Sequence, residues 1–187
     1  MRATLVFLSC FLLISTLAMS QDFRGLDKSP LDIAYYPDNF AHDREPGEAA
    51  AIKVIYSRPQ LNGRKMFGEK RVPYGKVWRT GANEAPEVKL YQDVTIGGKK
   101  LSAGTYSLFT IPNEDKWTVI FSSDLDYWGA YQYQEDNDVL RADASVSSLD
   151  EPVEAFTIQF ADGDEGEAVL QMAWDQTMAE LPISISN

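Results

Sequence analysis

The sequence predicts a mostly β fold, an antiparallel β-sandwich or jelly-roll-like domain with little helix. Short apolar runs recur about every 8–15 residues, a spacing typical of sandwiches and jelly rolls. Glycine, proline and aspartate separate these runs and supply the turns. No segment sustains the 3.6-residue apolar period of an amphipathic helix. Strand order is not readable from this pattern.

The expected strands are apolar or alternating segments bounded by turn residues. In chain order they cover residues 52–56, 88–91, 94–96, 104–111, 117–121, 139–144, 153–160, 168–174 and 183–185. Gly97-Gly98 and Pro112-Asn113 predict hairpin turns between neighbouring strands. The acidic segment 162–167 lacks the ligand spacing of an EF-hand loop, so we expect a solvated hairpin turn there.

Residues 1–20 have the plan of a cleavable signal peptide. Arg2 precedes an apolar run over residues 5–17, and the small residues Ala18 and Ser20 precede the expected cleavage site. This run is shorter than the roughly 18–20 residues that span a bilayer. We therefore expect an exported protein, periplasmic or secreted after cleavage near Ser20, with no transmembrane segment in the mature chain.

The remaining chain is expected to hold two parts. Residues 21–50 contain several prolines and many charges, which predicts an irregular N-terminal arm. The expected anchors of this arm are Leu31, Ile33, Tyr35 and Tyr36. Residues 51–187 are expected to form a single β-rich domain.

The composition argues against several classes of site. Cys10 is the only cysteine and lies in the signal peptide, so we expect neither disulfides nor thiol chemistry. His42 is the only histidine, which argues against a His/Cys metal site and leaves a Ser-His-Asp triad dependent on that one residue. Oxygen-ligand metals such as calcium are still compatible with this composition. The predicted site contains no metal and no cofactor.

The charge is divided along the chain. Residues 21–110 contain 14 Lys/Arg and 11 Asp/Glu, a net +3, whereas residues 111–187 contain 2 and 17, a net −15. This acidic half argues against a nucleic-acid partner. Lysine and arginine concentrate between residues 58 and 79. That segment is either a solvated face that balances the acidic half or an anion-binding patch.

The densest polar segment covers residues 72–84, VPYGKVWRTGANE. Within it, Arg79, Asn83 and Glu84 bring a guanidinium, an amide and a carboxylate close together in sequence. With Arg58 and Arg64, they are the residues expected to bind an anionic or glycan ligand. In the alternative, structural interpretation, Arg79 pairs with Glu84 across a turn, Asn83 bonds to backbone and the tryptophan of the segment fills the core.

These segments resemble a bacterial family of exported proteins, the domain of unknown function 2911. The resemblance rests on VPYGKVWRTGANE, on residues 56–60 and 63–64 before it, and on residues 101–109, 117–121 and 128–131 after it. It extends from about Leu26 to the C-terminus. The resemblance implies an exported, β-rich protein and carries no established activity.

The aromatic segment 127–133 is the second candidate site. If it is extended, Tyr127, Tyr131 and Tyr133 share one face and Trp128 occupies the other. Exposed, Trp128 and Tyr131 would form a platform for sugar rings or an apolar ligand. Buried, the same residues are part of a sandwich core.

Three functions fit these patterns. The first is a non-catalytic binding or envelope-associated module. The second is a hydrolase of glycan or another envelope polymer that uses Glu84, because the Asn83-Glu84 pair is similar to that of some retaining glycosidases, whose second carboxylate lies about 5–5.5 Å away. The third is a structural or interaction protein without a small-molecule ligand. An open cleft beside Arg79 would favour the first two, and a buried Arg79–Glu84 pair the third.

Overall fold

A computed structural model describes residues 23–185, so the expected signal peptide lies outside the described residues. A short helix α1, Phe40–Asp43, and two single-turn 3₁₀ segments, Glu135–Asn137 and Asp164–Gly166, are its helical elements. The strands are β1 Leu31–Tyr36, β2 Ile52–Ser57, β3 Glu87–Leu90, β4 Val94–Ile96, β5 Lys99–Leu101, β6 Gly104–Ile111, β7 Lys116–Ser122, β8 Asp138–Asp162 and β9 Ala168–Ile185.

The strands form one open sheet in which neighbouring strands are antiparallel. Their order across the sheet is β1-β2-β3-β6-β7-β8-β9-β4-β5. Burial alternates along β3 and along much of β2 and β9, as the alternating sequence pattern predicts. The prediction of a mostly antiparallel β fold with little helix is therefore confirmed.

The two longest strands bend the sheet into a sandwich-like shape. The pairing of β8 with β9 shifts register between Ser148 and Val153 and again before Thr157, near Pro152. The part of β8 beyond these irregularities lies against β2, where Tyr56 Oη donates a 3.0 Å hydrogen bond to the backbone oxygen of Ile158. The expected turn at 162–167 closes this hairpin, with Gly163 N donating to Glu167 O at 2.8 Å.

An aromatic cluster fills the space between the facing parts of the sheet. Trp78 and Trp174 stack at 6.0 Å with an interplanar angle of 10°, and Phe67 lies 4.9 Å from Trp117. Phe156 meets Trp78 edge-on at 5.2 Å. All five side chains are buried. Truncating a ring of this kind to alanine costs about 3–5 kcal/mol, so this cluster is a main source of stability.

The N-terminal arm is less irregular than expected. Residues 31–36 form β1, which pairs with β2 from Leu31↔Ser57 to Tyr36↔Ile52. An edge strand needs ladder hydrogen bonds on one side only, so flanking prolines do not prevent it. Leu31 and Ile33 were expected to anchor the arm but are exposed. Tyr36 does anchor it, because its ring lies 6.0 Å from that of Phe160.

No helix within residues 23–185 has the length and apolar character needed to cross a bilayer.

Candidate functional site

A cleft of about 490 Å³ opens beside residues 78–83, and we call it the basic cleft. Four cationic side chains line it, and none of its lining residues is acidic. Buried apolar residues and the neutral side chains of Ser29, Asn83 and Tyr131 complete its walls. The four cations are Arg64, Lys70, Arg71 and Arg79.

The backbone beside the cleft is held in an unusual conformation. Thr80, with φ 56°, and Asn83, with φ 57°, are both left-handed, which is rare for a β-branched residue such as threonine. Thr80 is fully buried, and its hydroxyl lies 3.0 Å from that of Thr110. A Cβ at Gly81 would lie 3.0 Å from the backbone oxygen of Ser57, so this position favours glycine. The surrounding packing therefore sustains a strained turn that directs Arg79 and Asn83 to the cleft.

Arg79 is mostly buried but has no anionic partner among residues 23–185. Its Nε is buried and makes no hydrogen bond, and no carboxylate in the described chain forms an ion pair with it. Burial lowers the pKa of the Arg79 guanidinium, while the nearby Tyr131 raises it. An arginine stays protonated at neutral pH even so. The site therefore contains a partly desolvated and uncompensated positive charge.

The other three cations of the basic cleft are also without a carboxylate in residues 23–185. Arg64 donates from Nε to Leu61 O and from Nη2 to Gln60 O, both at 2.7 Å. These neutral carbonyl acceptors orient the guanidinium and leave its charge uncompensated. Lys70 and Arg71 are exposed.

Asn83 bonds to a side chain and not to backbone, contrary to the structural interpretation of its segment. Its Nδ2 donates a 3.0 Å hydrogen bond to Asp27 Oδ1. The same oxygen accepts a 2.7 Å hydrogen bond from Ser29 N. The Ser29 and Asn83 hydrogen bonds together hold the pKa of Asp27 below its ordinary value. These contacts tie residues 27–29 to the edge of the cleft.

Arg58 was expected at the site but lies outside the cleft. It donates to Asp32 Oδ2 at 2.8 Å, to Phe156 O at 3.1 Å and to Thr157 Oγ1 at 2.7 Å. These bonds connect β1, β2 and β8. Arg58 therefore connects these elements and does not line the basic cleft, where it was expected to lie with Arg79.

The expected ion pair between Arg79 and Glu84 is absent from the described structure. Glu84 is exposed and lines a second cavity, of about 230 Å³, together with Glu87 and Asp126. Glu84 forms an isolated antiparallel bridge with Trp128. The left-handed backbone of Asn83, with φ 57°, turns the chain just before this bridge, and Asn83 lines the basic cleft whereas Glu84 does not.

The segment 127–133 is not one extended strand, so Tyr127, Tyr131 and Tyr133 do not share one face as expected. Tyr127 and Tyr133 turn inward against Phe109, at 5.7 and 5.1 Å. Burial and a hydrogen bond to Asp138 raise the pKa of Tyr133 to about 12, so this inward anchor stays neutral.

Trp128 and Tyr131 turn outward and form what we call the aromatic pair. They are 63% and 79% exposed and stack on each other at 5.9 Å with an interplanar angle of 25°. Gly129, with φ 77°, makes this arrangement feasible, because a Cβ there would lie 2.6 Å from the Tyr131 ring. The core interpretation of these two residues is therefore wrong.

Sequence reasoning missed Lys70 and Arg71 as residues of the cleft. Both belong to the basic stretch between residues 58 and 79, which was the available signal. The density of charge along the sequence does not show which of these cations line the same cleft in the fold.

No cluster of three or more histidine, cysteine, aspartate or glutamate side chains suited to a metal occurs among the described residues.

The comparisons with known proteins add one positive finding. No curated protein and no solved structure matches the chain. A family model, described as a protein of unknown function (DUF2911), matches residues 40–183, which include β2 to most of β9 and almost all of the basic cleft. The chain belongs to the DUF2911 family.

Proposed function

We propose that this protein is an exported, non-catalytic module that binds an anionic ligand in the basic cleft. The export part of the proposal is supported by the signal-peptide plan of residues 1–20. The binding part depends on one observation, the uncompensated guanidinium of Arg79.

An unpaired charge that is partly removed from water destabilises a fold. Arg79 has such a charge, and its buried Nε has no acceptor in residues 23–185. A carboxylate, sulfate or phosphate placed in the cleft would accept hydrogen bonds from a guanidinium in a bidentate arrangement. The bound anion would supply the partner that the described residues do not.

The surrounding charges support the same ligand class. The full chain has a net charge of −11, yet the cleft is lined by four cations and no acid. A concave surface with one sign of charge concentrates ions of the opposite sign. An acidic protein with a local positive cleft would repel anions from most of its surface and attract them to one place.

Glu84 supports a binding role for this cleft over hydrolysis. A glycosidase needs its carboxylates at the bound substrate. Glu84 lines the second cavity, with Glu87 and Asp126, and does not line the basic cleft. Hydrolysis by Glu84 would therefore belong to that second cavity and would not use a ligand held by Arg79.

The test compares Arg79→Gln with Lys76→Gln by calorimetric titration of sulfate, phosphate and citrate. Lys76 is an exposed cation of the same sequence segment and does not line the cleft. We expect the wild type to bind at least one of these anions. Arg79→Gln should weaken that binding about tenfold or more, because a charge-assisted hydrogen bond is lost, and Lys76→Gln should change it less than about twofold.

Circular dichroism checks that both variants remain folded. If the two substitutions weaken anion binding equally, the anion is attracted by the overall positive charge of residues 58–79 and not by a specific site at Arg79. The proposal would be overturned if the wild type bound none of these three anions and no acidic hexasaccharide.

A further inference from the structure

We propose that the ligand is an acidic saccharide chain, with its acid group in the basic cleft and a neighbouring sugar ring on the aromatic pair. This inference rests on the proposed function and extends it to a chemical class. The supporting observation is that the cationic cleft and the exposed aromatic pair are contiguous.

Tyr131 connects the two surfaces. It lines the basic cleft and also a neighbouring groove of about 510 Å³. Trp128, Asp126 and Gln132 line that groove as well. A ligand longer than a single anion would therefore reach both surfaces without crossing a barrier.

The aromatic pair is exposed and held in place. Hydrogen bonds from Gly129 N to Asn83 O and from Ala85 N to Tyr127 O, at 2.9 and 2.8 Å, fix its loop to the cleft segment. Two large rings held so firmly in water have no packing role that explains them. A platform of this kind binds with little loss of backbone conformational entropy, because its loop is already hydrogen-bonded to the cleft segment before the ligand arrives.

The inward side of the loop reinforces this rigidity. The hydroxyl of Tyr127 lies 2.8 Å from both Asp124 Oδ2 and the backbone oxygen of Gln132. Asn137 Nδ2 donates to the same Asp124 oxygen at 3.1 Å. The hydroxyl of Tyr133 donates to Asp138 Oδ2 at 2.6 Å. The loop is thus anchored at both ends while the aromatic pair stays exposed to solvent.

The polar groups of the groove distinguish a sugar from other ring-bearing anions. Asp126 and Gln132 are exposed there and offer a carboxylate and an amide to hydroxyl groups. The apolar C–H face of a pyranose packs on an aromatic ring, and its hydroxyls point sideways to such groups. The acidic groove would repel the charged part of the ligand, so the acid group belongs in the cleft and the neutral part of the ring on the aromatic pair.

Tryptophan fluorescence gives a direct readout of this arrangement. Trp78, Trp117 and Trp174 are buried, so Trp128 is the tryptophan that acrylamide quenches readily. The probes are a hyaluronan hexamer, in which acidic and neutral sugars alternate, a sulfated chondroitin hexamer, neutral maltohexaose, inorganic phosphate and adenosine monophosphate. We expect one or both acidic hexamers to protect Trp128 from acrylamide and to bind at least tenfold more tightly than the other three probes.

The hyaluronan hexamer carries carboxylates only, and the chondroitin hexamer carries both carboxylates and sulfates. Tight binding of chondroitin alone would therefore indicate a sulfate ligand, and tight binding of the hyaluronan hexamer a carboxylate ligand. Tight binding of maltohexaose would show a neutral glycan site and would overturn the inference. Equal or tighter binding of phosphate or adenosine monophosphate would also overturn it, in favour of a free anion or a nucleotide.

Substitutions of the aromatic pair separate this inference from the proposed function. Trp128→Ala and Tyr131→Ala should each weaken hexamer binding about tenfold in calorimetry and leave phosphate binding within about twofold. Tyr91→Ala is the control, because Tyr91 is a 40% exposed aromatic residue that lines neither surface. Arg79→Gln should weaken both the hexamer and phosphate.

If both aromatic variants bind the hexamer like the wild type, the saccharide inference fails and the anion proposal stands. If no probe binds the wild type, both fail.

Discussion

Arg58 and Arg79 belong to the same basic stretch of sequence, yet their surroundings in the fold are opposite. Arg58 has its charge matched by Asp32 at 2.8 Å, and its Nε and Nη2 donate to Phe156 O and Thr157 Oγ1. Arg79 has neither a matching carboxylate nor an acceptor for its buried Nε within residues 23–185. The first arginine joins three strands, and the second faces an open cleft.

This difference separates residues that hold the fold from residues that are available to a ligand. A guanidinium whose charge is paired and whose three nitrogens already donate within the fold has little to gain from a ligand, so its removal affects stability first. A guanidinium without an anionic partner reduces the stability of the free protein, and a bound anion supplies that partner. Three substitutions test this comparison.

The largest expected effect on stability is that of Arg58→Met. It should lower the free energy of unfolding by about 2 kcal/mol, because hydrogen bonds to a charged group that connect β1, β2 and β8 are lost. Urea denaturation measures the change, and Arg44→Met, at an exposed position of the N-terminal arm, is the matched control. Ligand binding in the basic cleft should be unchanged. A loss of stability no greater than that of Arg44→Met would contradict the structural role given to Arg58.

Arg79→Met should act in the opposite direction. The free energy of unfolding of the ligand-free protein should rise by about 1 kcal/mol, because a partly desolvated and unpaired charge is replaced by an apolar chain of similar length. The same denaturation experiment measures it, with Lys76→Met as the exposed control, expected within about 0.5 kcal/mol. A clear loss of stability would mean that Arg79 stabilises the free fold and that the two arginines do not differ as proposed.

Asp32→Asn should give the smallest effect. The side chains of Arg58 and Asp32 are 32% and 43% exposed, so solvent screens their attraction. Removing the negative charge while keeping an oxygen acceptor should lower the free energy of unfolding by about 0.5 kcal/mol. The loss should shrink in 1 M salt, where the screening length is roughly 3 Å. A loss as large as that of Arg58→Met would place most of the effect of Arg58 in this one ion pair.

The strands were predictable because the signal for a strand is local. Alternation within a few residues identified β2 to β4 and most of β6 to β9, and Gly97-Gly98 marked the β4–β5 hairpin. β1 was missed because Pro30 and Pro37 flank it, and the edge position that tolerates them is a property of the whole sheet. Segments expected as separate strands proved continuous in β8 and β9, because bulges let a strand pass an irregular stretch such as the one at Pro152.

The site was only partly predictable because its contacts are distant in sequence. Arg58 meets its acceptors 26, 98 and 99 residues away, so nothing near it in the sequence showed that it was already satisfied. Arg79, Arg64 and Asn83 were correctly expected to lie together, since one compact polar segment and its flank contain them. Glu84 was separated from them by the left-handed turn at Asn83 and the bridge to Trp128, which local charge pairing does not reveal.

The position of β4 and β5 in the sheet has a consequence for how the chain acquires its structure during synthesis. This hairpin is made early, but its neighbour in the sheet is β9, the strand latest in the described chain, through Val94↔Ile185 and Thr95↔Ser184. The residues of β9 that pair with Val94 and Thr95 lie about ninety positions later in the chain, so the buried side chains of β4 are incompletely covered until β9 has been made. Pairing between such distant segments is slow to form. The proposed export requires the chain to cross a membrane unfolded. This order of strands would delay completion of the fold until the C-terminal strand has been made.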